Sequence, residues 1–191
     1  AVSVYSGWLA YSTFDHEWVK HQIEDTTVEE VLIKNWPGLH IEPLQAPENM
    51  EVLIGWTGSP ASSPHFVSEV KRLKSDPSFY GDFLEDSHHC VEKLIHAFKT
   101  NNIKGVQKMV RQNRTIIQRM DKEATVDIET EKLKYLCDIA EKYHGASKTS
   151  GAGGGDCGIT IINKDVDKEK IYDEWTKHGI KPLKFNIYHG Q

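Results

Sequence analysis

The sequence has 191 residues, of which 38% are hydrophobic, so it is long and apolar enough to fold around a buried core. Its formal net charge is −5 and its acidic and basic residues are interspersed, which excludes the basic patch of a nucleic-acid-binding protein. It contains no apolar run of the roughly 20 residues that a membrane-spanning helix needs.

The cysteines and histidines do not form a metal-binding pattern. Cys90, Cys137 and Cys157 are widely spaced and lack C-x-x-C spacing, which argues against a disulfide framework and against a zinc site. His88 and His89 are adjacent, so on a helix they point about 100° apart and are not expected to ligate one ion. Reduced cysteines fit a cytoplasmic protein.

The first part of the chain is predicted to differ from the rest. Residues 1–22 are rich in Tyr and Trp and predict a hairpin or paired strands, and residues 26–49 form a proline-containing connection. The strand pattern begins at the first residue, and an unpaired strand edge is a liability, so we expect that further chain precedes it. A boundary near Pro47 would divide the sequence into 1–47 and 48–191.

From residue 50 onward the pattern is that of a compact domain. Met50–Trp56 is short, apolar and β-branched, which predicts a buried strand. Ser63 and Pro64 suit the N-cap and first turn of a helix that ends near Pro77. Gly145 is expected to end the last of three longer helices. Their apolar stripes lie within 79–98, 103–120 and 133–143.

The end of the sequence is predicted to contain a strand at 159–162, a helix that ends at Gly179 and an alternating strand over 182–188. The order from residue 50 is therefore β-α-β-β-α-β. This is the order of an α+β, ferredoxin-like fold, here with extra helices in its first crossover. We expect an antiparallel sheet with helices on one face.

A glycine-rich loop is the strongest functional signal. Five of the eight residues in 151–158 are glycine, a composition that favours positive φ angles or close approach of another group to the backbone. Exposed amides in such a loop can bind an anion, and a tight structural turn is the alternative. The pattern G-x-G-x-x-G occurs here, but a strand follows it instead of a helix, which excludes a Rossmann fingerprint. A P-loop is also excluded because no Gly-Lys-Ser/Thr ends the loop.

Two segments resemble one known family. Lys148–Gly158 resembles the third sequence motif of the galactokinase, homoserine kinase, mevalonate kinase and phosphomevalonate kinase (GHMP) superfamily, in the form found in phosphomevalonate kinases. Ile54–Ser63 resembles the strand and loop that open the C-terminal domain of the same kinases. The likeness runs over essentially the whole chain, and the order of the two segments is that of the family.

The resemblance implies the fold of a GHMP kinase C-terminal domain and a part in phosphoryl transfer from ATP to 5-phosphomevalonate, with Mg²⁺ as a further cofactor. It also implies that residues 1–47 are a remnant of the N-terminal kinase domain and that the remaining N-terminal half is a partner. The nucleotide loop, lysine and catalytic aspartate of the family are absent from this sequence. The chain alone is therefore expected to be inactive, with no catalytic residue and no metal ligand of its own.

The resemblance also assigns candidate binding residues, with backbone amides of the central glycines as donors to a phosphate group. The candidates for substrate and phosphate binding are Lys148, Ser150, Gly151, Ala152, Gly153, Gly154, Gly155 and Asp156. Possible further substrate contacts are Thr57, Ser59 and Ser62. Asp156 as a turn cap and Lys148 as a solvated side chain remain alternatives.

Two other functions stay open at this point. One is another small-molecule kinase of the same superfamily, such as a mevalonate or homoserine kinase. The other is a non-catalytic module that binds an anion through the glycine loop. Arg111, Arg114 and Arg119 on the second long helix are expected to form a solvated face.

Overall fold

The computed structural model describes residues 7–60, 73, 76–151, 153–185 and 187. These residues belong to two compact units, of which the first contains the described residues up to 45 together with residue 187, and the second contains those from 46 to 185. The assignment of 1–47 and 48–191 to different functional domains stays a prediction. No helix in the described part of the chain is both long and apolar enough to cross a bilayer.

The first unit contains a two-stranded antiparallel sheet and two helices. Strand β1 (Trp8–Ser12) pairs with β2 (His40–Leu44), and the helices α1 (His16–Asp25) and α2 (Val28–Leu32) lie between them in sequence. The predicted hairpin over residues 1–22 is wrong for residues 16–22, which belong to α1, and residues 1–6 lie outside the described part of the chain. Asp15 explains why, because its side chain accepts a hydrogen bond from the Trp18 amide and starts a helix where the aromatic residues predicted a strand.

The second unit is built on a four-stranded antiparallel sheet of order β4-β5-β3-β6. Its strands are β3 (Met50–Trp56), β4 (Ala146–Thr149), β5 (Cys157–Asn163) and β6 (Lys181–Leu183). With the helices between them, these strands give the predicted β-α-β-β-α-β order, and the order in the sheet is that of a ferredoxin-like fold. The predicted α+β class is confirmed.

Within its described residues, this unit has the helices α3 (Pro77–Lys99), α4 (Ile103–Ala124) and α5 (Glu131–Lys142) between β3 and β4, and α6 (Lys168–Lys177) between β5 and β6. Three of them begin at side chains that accept a hydrogen bond from a first-turn amide. These N-cap residues are Asp76, Asn102 and Thr130. Pro77 therefore opens α3, and the helix predicted over 63–77 lies outside the described residues apart from Leu73.

The core lies between one face of the sheet and helices α5 and α6. Leu136 and Trp175 are completely buried there, and the indole nitrogen of Trp175 donates to the Leu136 carbonyl at 3.0 Å. Gly55 and Gly158 are directly opposite each other on β3 and β5, where their missing side chains let Leu136 approach the sheet. This packing holds α5 above the strands that lead into the glycine loop.

Two predicted boundaries are corrected. The last strand ends at Leu183 rather than continuing to residue 188, because β3 pairs with it only over Ile54–Trp56. Alternation in the sequence indicates two faces but does not indicate how far a neighbouring strand extends. Helix α5 ends at Lys142, and the left-handed residue that follows is His144, with φ of 61°, rather than Gly145.

Candidate functional site

The glycine loop lies at one end of the two inner strands of the sheet, where β3 ends and β5 begins. Trp56 is paired with Cys157, so residues 57–60 and residues 150–156 leave the sheet next to each other. This juxtaposition follows from the antiparallel pairing of the two strands. It brings together the two segments that the sequence singled out.

The loop has an unusual run of left-handed backbone conformations. The φ angles are 69° at Gly151, 75° at Gly153, 74° at Gly154 and 126° at Gly155. Such angles are available to glycine at little cost and are strained for residues with a Cβ atom. Asp156 also has a positive φ, 56°, which an aspartate tolerates better than most side chains.

Hydrogen bonds from the β3 side hold the end of this loop. The Thr57 amide donates to the Asp156 carbonyl at 2.8 Å, and the Asp156 amide donates to the Ser59 carbonyl at 2.6 Å. The Ser150 amide donates to the Cys157 carbonyl at 2.8 Å, which closes the loop at its base. Ser59 thus acts through its backbone, and its predicted contact with substrate stays a prediction.

A second segment, the α4–α5 connection (residues 125–130), holds the middle of the loop. The Gly154 amide donates to the Ile128 carbonyl at 2.7 Å. A Cβ atom at Gly153 would lie 2.3 Å from Ile128 Cγ2, and one at Gly155 would lie 2.9 Å from the Ser59 carbonyl oxygen. Glycine is therefore required at both positions by close approach as well as by φ.

The backbone amides of Gly153 and Gly155 take no part in the hydrogen bonds described above. Both residues are buried, yet neither amide donates a hydrogen bond to any residue in the described part of the chain. Buried amides without a partner are rare in proteins, because each loses its hydrogen bonds to water. Gly154, by contrast, is already bonded to Ile128, so the open donors are its two neighbours. The positive ends of two such N–H groups can attract an anion.

The charged candidates lie around the loop in different environments. Lys148 is partly buried, its Nζ donates to the Thr149 carbonyl at 2.9 Å, and burial lowers the pKa of its ammonium. Asp156 is exposed. Burial, followed by the charge of Asp156, raises the pKa of the Cys157 thiol, so this cysteine is a thiol and not a thiolate at neutral pH.

The remaining candidates are less accessible or lie elsewhere. Thr57 is only 1% exposed, and its hydroxyl is buried without a hydrogen-bond partner in the described residues. Thr149 on β4 has the same property, which the sequence did not suggest. Ala152 and Ser62 lie outside the described residues. No group of three or more His, Cys, Asp or Glu side chains that could hold a metal ion occurs within the described ranges.

The predicted solvated face of α4 is wrong for Arg114, whereas the side chains of Arg111 and Arg119 are 42% and 43% exposed. Arg114 is only 13% exposed and is paired with Glu129, whose side chain is 4% exposed. Arg111 is paired with Glu141, and Arg119 with Asp86. A helical pattern shows which residues share a face but not which acidic residues of distant segments pack against it. Glu129 adjoins Ile128, and no signal in the sequence marked either residue.

Comparison with known proteins gives a consistent set of relatives. Residues 94–181 match the family model described as GHMP kinases C terminal. The chain is 33% identical over 186 residues to the phosphomevalonate kinase of Streptomyces sp. (strain CL190), a match that covers 96% of this chain and 50% of that protein.

Solved structures give the same picture. The Lin0012 protein from Listeria innocua is similar with a TM-score of 0.89 and 40% identity, over 95% of this chain and 51% of its own. Streptococcus pneumoniae phosphomevalonate kinase, in complex with phosphomevalonate and AMPPNP, is similar with a TM-score of 0.79 and 26% identity, over 92% of this chain and 50% of that one. The chain therefore spans about half the length of each of these relatives.

Proposed function

We propose that this chain, which is similar over residues 94–181 to the C-terminal domain of GHMP kinases, forms the substrate-side wall of an ATP-dependent phosphomevalonate kinase. The reaction would transfer the γ-phosphoryl group of ATP to the phosphate of 5-phosphomevalonate, giving 5-diphosphomevalonate and ADP in the mevalonate pathway of isoprenoid synthesis. The relatives that support this substrate are the Streptomyces and pneumococcal phosphomevalonate kinases.

One observation carries the proposal. The buried amides of Gly153 and Gly155 have no partner in the described residues and lie in a loop that is held from both sides. Phosphate oxygens are the kind of acceptor that would satisfy these donors. Phosphoryl transfer depends mainly on positioning and on stabilising oxygen charge, and fixed amide dipoles provide both.

The candidate residues have distinct parts in this proposal. Gly153 and Gly155 would donate to substrate or transferring phosphate oxygens, and Gly154 would hold the loop through Ile128. Lys148 would supply a positive charge near the substrate, while Ser150 and Gly151 would border it. Thr57, Ser59, Ser62 and Ala152 would complete the wall around the substrate.

ATP and Mg²⁺ are the proposed cofactors. Mg²⁺ usually keeps several water ligands and is held by one or two carboxylates together with substrate phosphates. Asp156 is an exposed carboxylate at the loop and would contact the ion through one of these water ligands. When bound, the ion neutralises charge on the phosphate oxygens. The nucleotide loop, lysine and catalytic aspartate would come from the N-terminal half, and a cytoplasmic location stays a prediction from the three free cysteines.

A pair of assays tests the proposal. The intact kinase that contains this chain is expected to form ADP from ATP when 5-phosphomevalonate is present, whereas the 191-residue chain alone is expected to show no turnover. Turnover by the chain alone would show that catalytic groups lie within it. Lack of turnover by the intact protein with 5-phosphomevalonate would refute the proposed reaction.

Binding experiments separate the two alternative functions. In ¹⁵N spectra of the chain, 5-phosphomevalonate is expected to shift the amide signals of Gly153 and Gly155 at lower concentration than inorganic phosphate does. Equal responses to both would favour a non-catalytic anion-binding module. A response to mevalonate or homoserine in place of 5-phosphomevalonate, with turnover of that compound by the intact protein, would favour a sibling kinase.

A further inference from the structure

A buried ion pair joins helix α4 to the α4–α5 connection. Arg114 Nε lies 2.8 Å from Glu129 Oε2, and a terminal guanidinium nitrogen of Arg114 lies 2.6 Å from Oε1. The same guanidinium reaches Asp138 on α5 at 3.0 Å. Arg114 is 13% exposed and Glu129 is 4% exposed, so loss of Arg114 would leave the Glu129 carboxylate buried without this charged partner. The Glu129 side chain is therefore fixed in position.

Asp121 fixes the backbone at the same place. Its two carboxylate oxygens accept hydrogen bonds from the amides of Ile128, at 2.8 Å, and of Glu129, at 3.1 Å. The chain can return to Asp121 because Thr125, which follows α4, is in the left-handed region with φ of 54°. A single carboxylate on α4 thus holds two consecutive amides of the α4–α5 connection.

The Ile128–Glu129 peptide group links these contacts to the glycine loop. Its amide, which belongs to Glu129, donates to Asp121, and its carbonyl, which belongs to Ile128, accepts from the Gly154 amide at 2.7 Å. A peptide group is planar, so a rotation that disturbs one of these bonds also disturbs the other. The Ile128 side chain adds a steric contact, because it fills the space beside Gly153.

A second ion pair on α4 has similar chemistry but does not lead to the loop. Arg111 Nε donates to both oxygens of Glu141 at 2.9 and 2.7 Å, and its terminal nitrogen donates to the Gly145 carbonyl at 2.7 Å. Arg111 and Arg114 are one helical turn apart. The first connects α4 to Glu141 on α5, and the second connects α4 to Glu129 in the α4–α5 connection. The Arg111–Glu141 pair, whose side chains are more exposed at 42% and 31%, is therefore a control for the loss of an arginine–glutamate pair elsewhere on α4.

We infer that Asp121 and the Arg114–Glu129 pair are positioning residues that set the glycine loop through the Ile128–Glu129 peptide, and thereby hold Gly153 and Gly155 in place for a phosphate group. The structural part of this inference is independent of any reaction. Its kinetic part rests on the proposed function. Different measurements therefore test the two parts.

Amide hydrogen exchange tests the structural part in the 191-residue chain. Glu129→Gln is expected to speed exchange of the Gly154 amide by about tenfold or more, as in a local opening, with Thr160 on the central strand β5 unchanged. Glu141→Gln is expected to change the Gly154 rate by less than about twofold. Equal effects of the two variants at Gly154, or a parallel rise at Thr160, would overturn the inference in favour of general destabilisation.

A milder variant covers the case in which Glu129→Gln does not fold. Asp121→Asn keeps the shape of the side chain and one acceptor oxygen, but its amide group cannot accept the second backbone hydrogen bond. We expect faster exchange at Gly154 in this variant as well, again without a change at Thr160. An unchanged Gly154 rate in folded Asp121→Asn would overturn the role of this residue.

Kinetics of the intact kinase test the functional part. Glu129→Gln and Asp121→Asn are expected to lower kcat/KM for 5-phosphomevalonate by about tenfold or more, because small displacements of positioning groups have large effects on rate. Glu141→Gln should stay close to the wild type at a temperature where all variants are folded. Normal kinetics in Glu129→Gln and Asp121→Asn, together with fast exchange at Gly154, would overturn the positioning role. An inactive wild type would instead refute the proposed function and leave the exchange result valid.

Discussion

Two pairs of glycines lie close together in this domain, and they serve different purposes. Gly55 and Gly158 face each other on strands β3 and β5, where a Cβ atom at Gly158 would lie 2.7 Å from Leu136 Cδ2. Gly153 and Gly155 lie in the loop, where a Cβ atom would meet backbone oxygens, at 2.6 Å from Ile128 and 2.9 Å from Ser59. The strand glycines admit a core side chain, and the loop glycines admit other backbone segments.

The difference shows what a glycine-rich sequence can and cannot indicate. A leucine side chain can shift by a rotamer, but a backbone oxygen that is fixed by hydrogen bonds cannot move far. Gly153 and Gly155 have positive φ angles and amides with no partner among the described residues, whereas Gly55 and Gly158 are part of the regular ladder. The anion-binding interpretation therefore depends on the conformation and open amides of the loop, not on the number of its glycines.

The largest expected effect on stability is that of Gly153→Ala. The new methyl group would overlap Ile128 Cγ2 at 2.3 Å and its carbonyl oxygen at 2.6 Å, at a φ of 75°. Overpacking and left-handed strain together should lower the free energy of unfolding by about 3 kcal/mol or more. Urea unfolding of the purified chain measures this change. A loss below about 1 kcal/mol would mean that the loop is not held against Ile128 as described.

The next largest effect is expected on the strand side, for Gly158→Ala. The atoms nearest to its methyl group would be those of the Leu136 side chain, so overpacking should cost about 2 kcal/mol. Combining it with Leu136→Ala should be less destabilising than the sum of the two single changes by about 1 kcal/mol, because the second change makes room for the first. Strict additivity in urea unfolding would contradict this contact.

Gly151→Ala separates stability from function at the loop. Gly151 has a φ of 69° and no atom within 4 Å of an added Cβ, so the substitution should cost only about 1 kcal/mol of strain. Gly179 has the same φ of 69° and only the end of Lys132 nearby, at 3.8 Å, so Gly179→Ala is the matched control.

The two variants should have similar free energies of unfolding but different kinetics in the intact kinase. If substrate approaches residue 151, the new methyl group in Gly151→Ala will crowd it and lower kcat/KM by about tenfold. Gly179→Ala is then expected to leave kcat/KM unchanged. Equal kinetics for both variants would move the substrate away from this end of the loop.

Much of the fold of the second unit could be predicted from the sequence. The helical stripes, the apolar strand at Met50–Trp56 and the glycine run each have a strong local pattern. The pairing of β1 with β2 and the short length of β6 could not be predicted, because both depend on which distant strand lies alongside. Asp15 was a local signal for the start of α1, but the aromatic residues around it outweighed that signal.

The candidate site was predicted less completely. The motif placed the glycine loop beside the end of β3, since both segments resemble parts of one family. It did not indicate Ile128, whose carbonyl binds Gly154, or the buried partner of Arg114. These contacts join residues that are 15 to 26 positions apart along the chain, and their sequence contains no periodic or motif signal. Contacts of this kind depend on tertiary packing.

The smallest expected effect on stability concerns Lys148, which lies on β4 just before the loop. Burial lowers the pKa of its ammonium in the folded protein, so the folded state binds this proton more weakly than the unfolded state does. Below the lowered pKa the side chain is charged in both states, and its desolvation destabilises the fold. As the pH rises through the lowered pKa towards the ordinary value of 10.5, the unfolded state holds more protons, and this destabilisation disappears.

Lys148→Met should therefore raise the melting temperature slightly at neutral pH, and its advantage over the wild type should shrink as the pH approaches 10.5. The exposed Lys134 provides a control, because Lys134→Met removes the same charge from the surface. The kinetics of Lys148→Met in the intact kinase then test the proposed role of this ammonium. If it faces a phosphate, KM for 5-phosphomevalonate rises although the protein is more stable. If its only partner is the Thr149 carbonyl, KM stays unchanged, and the positive charge at the substrate must come from another residue.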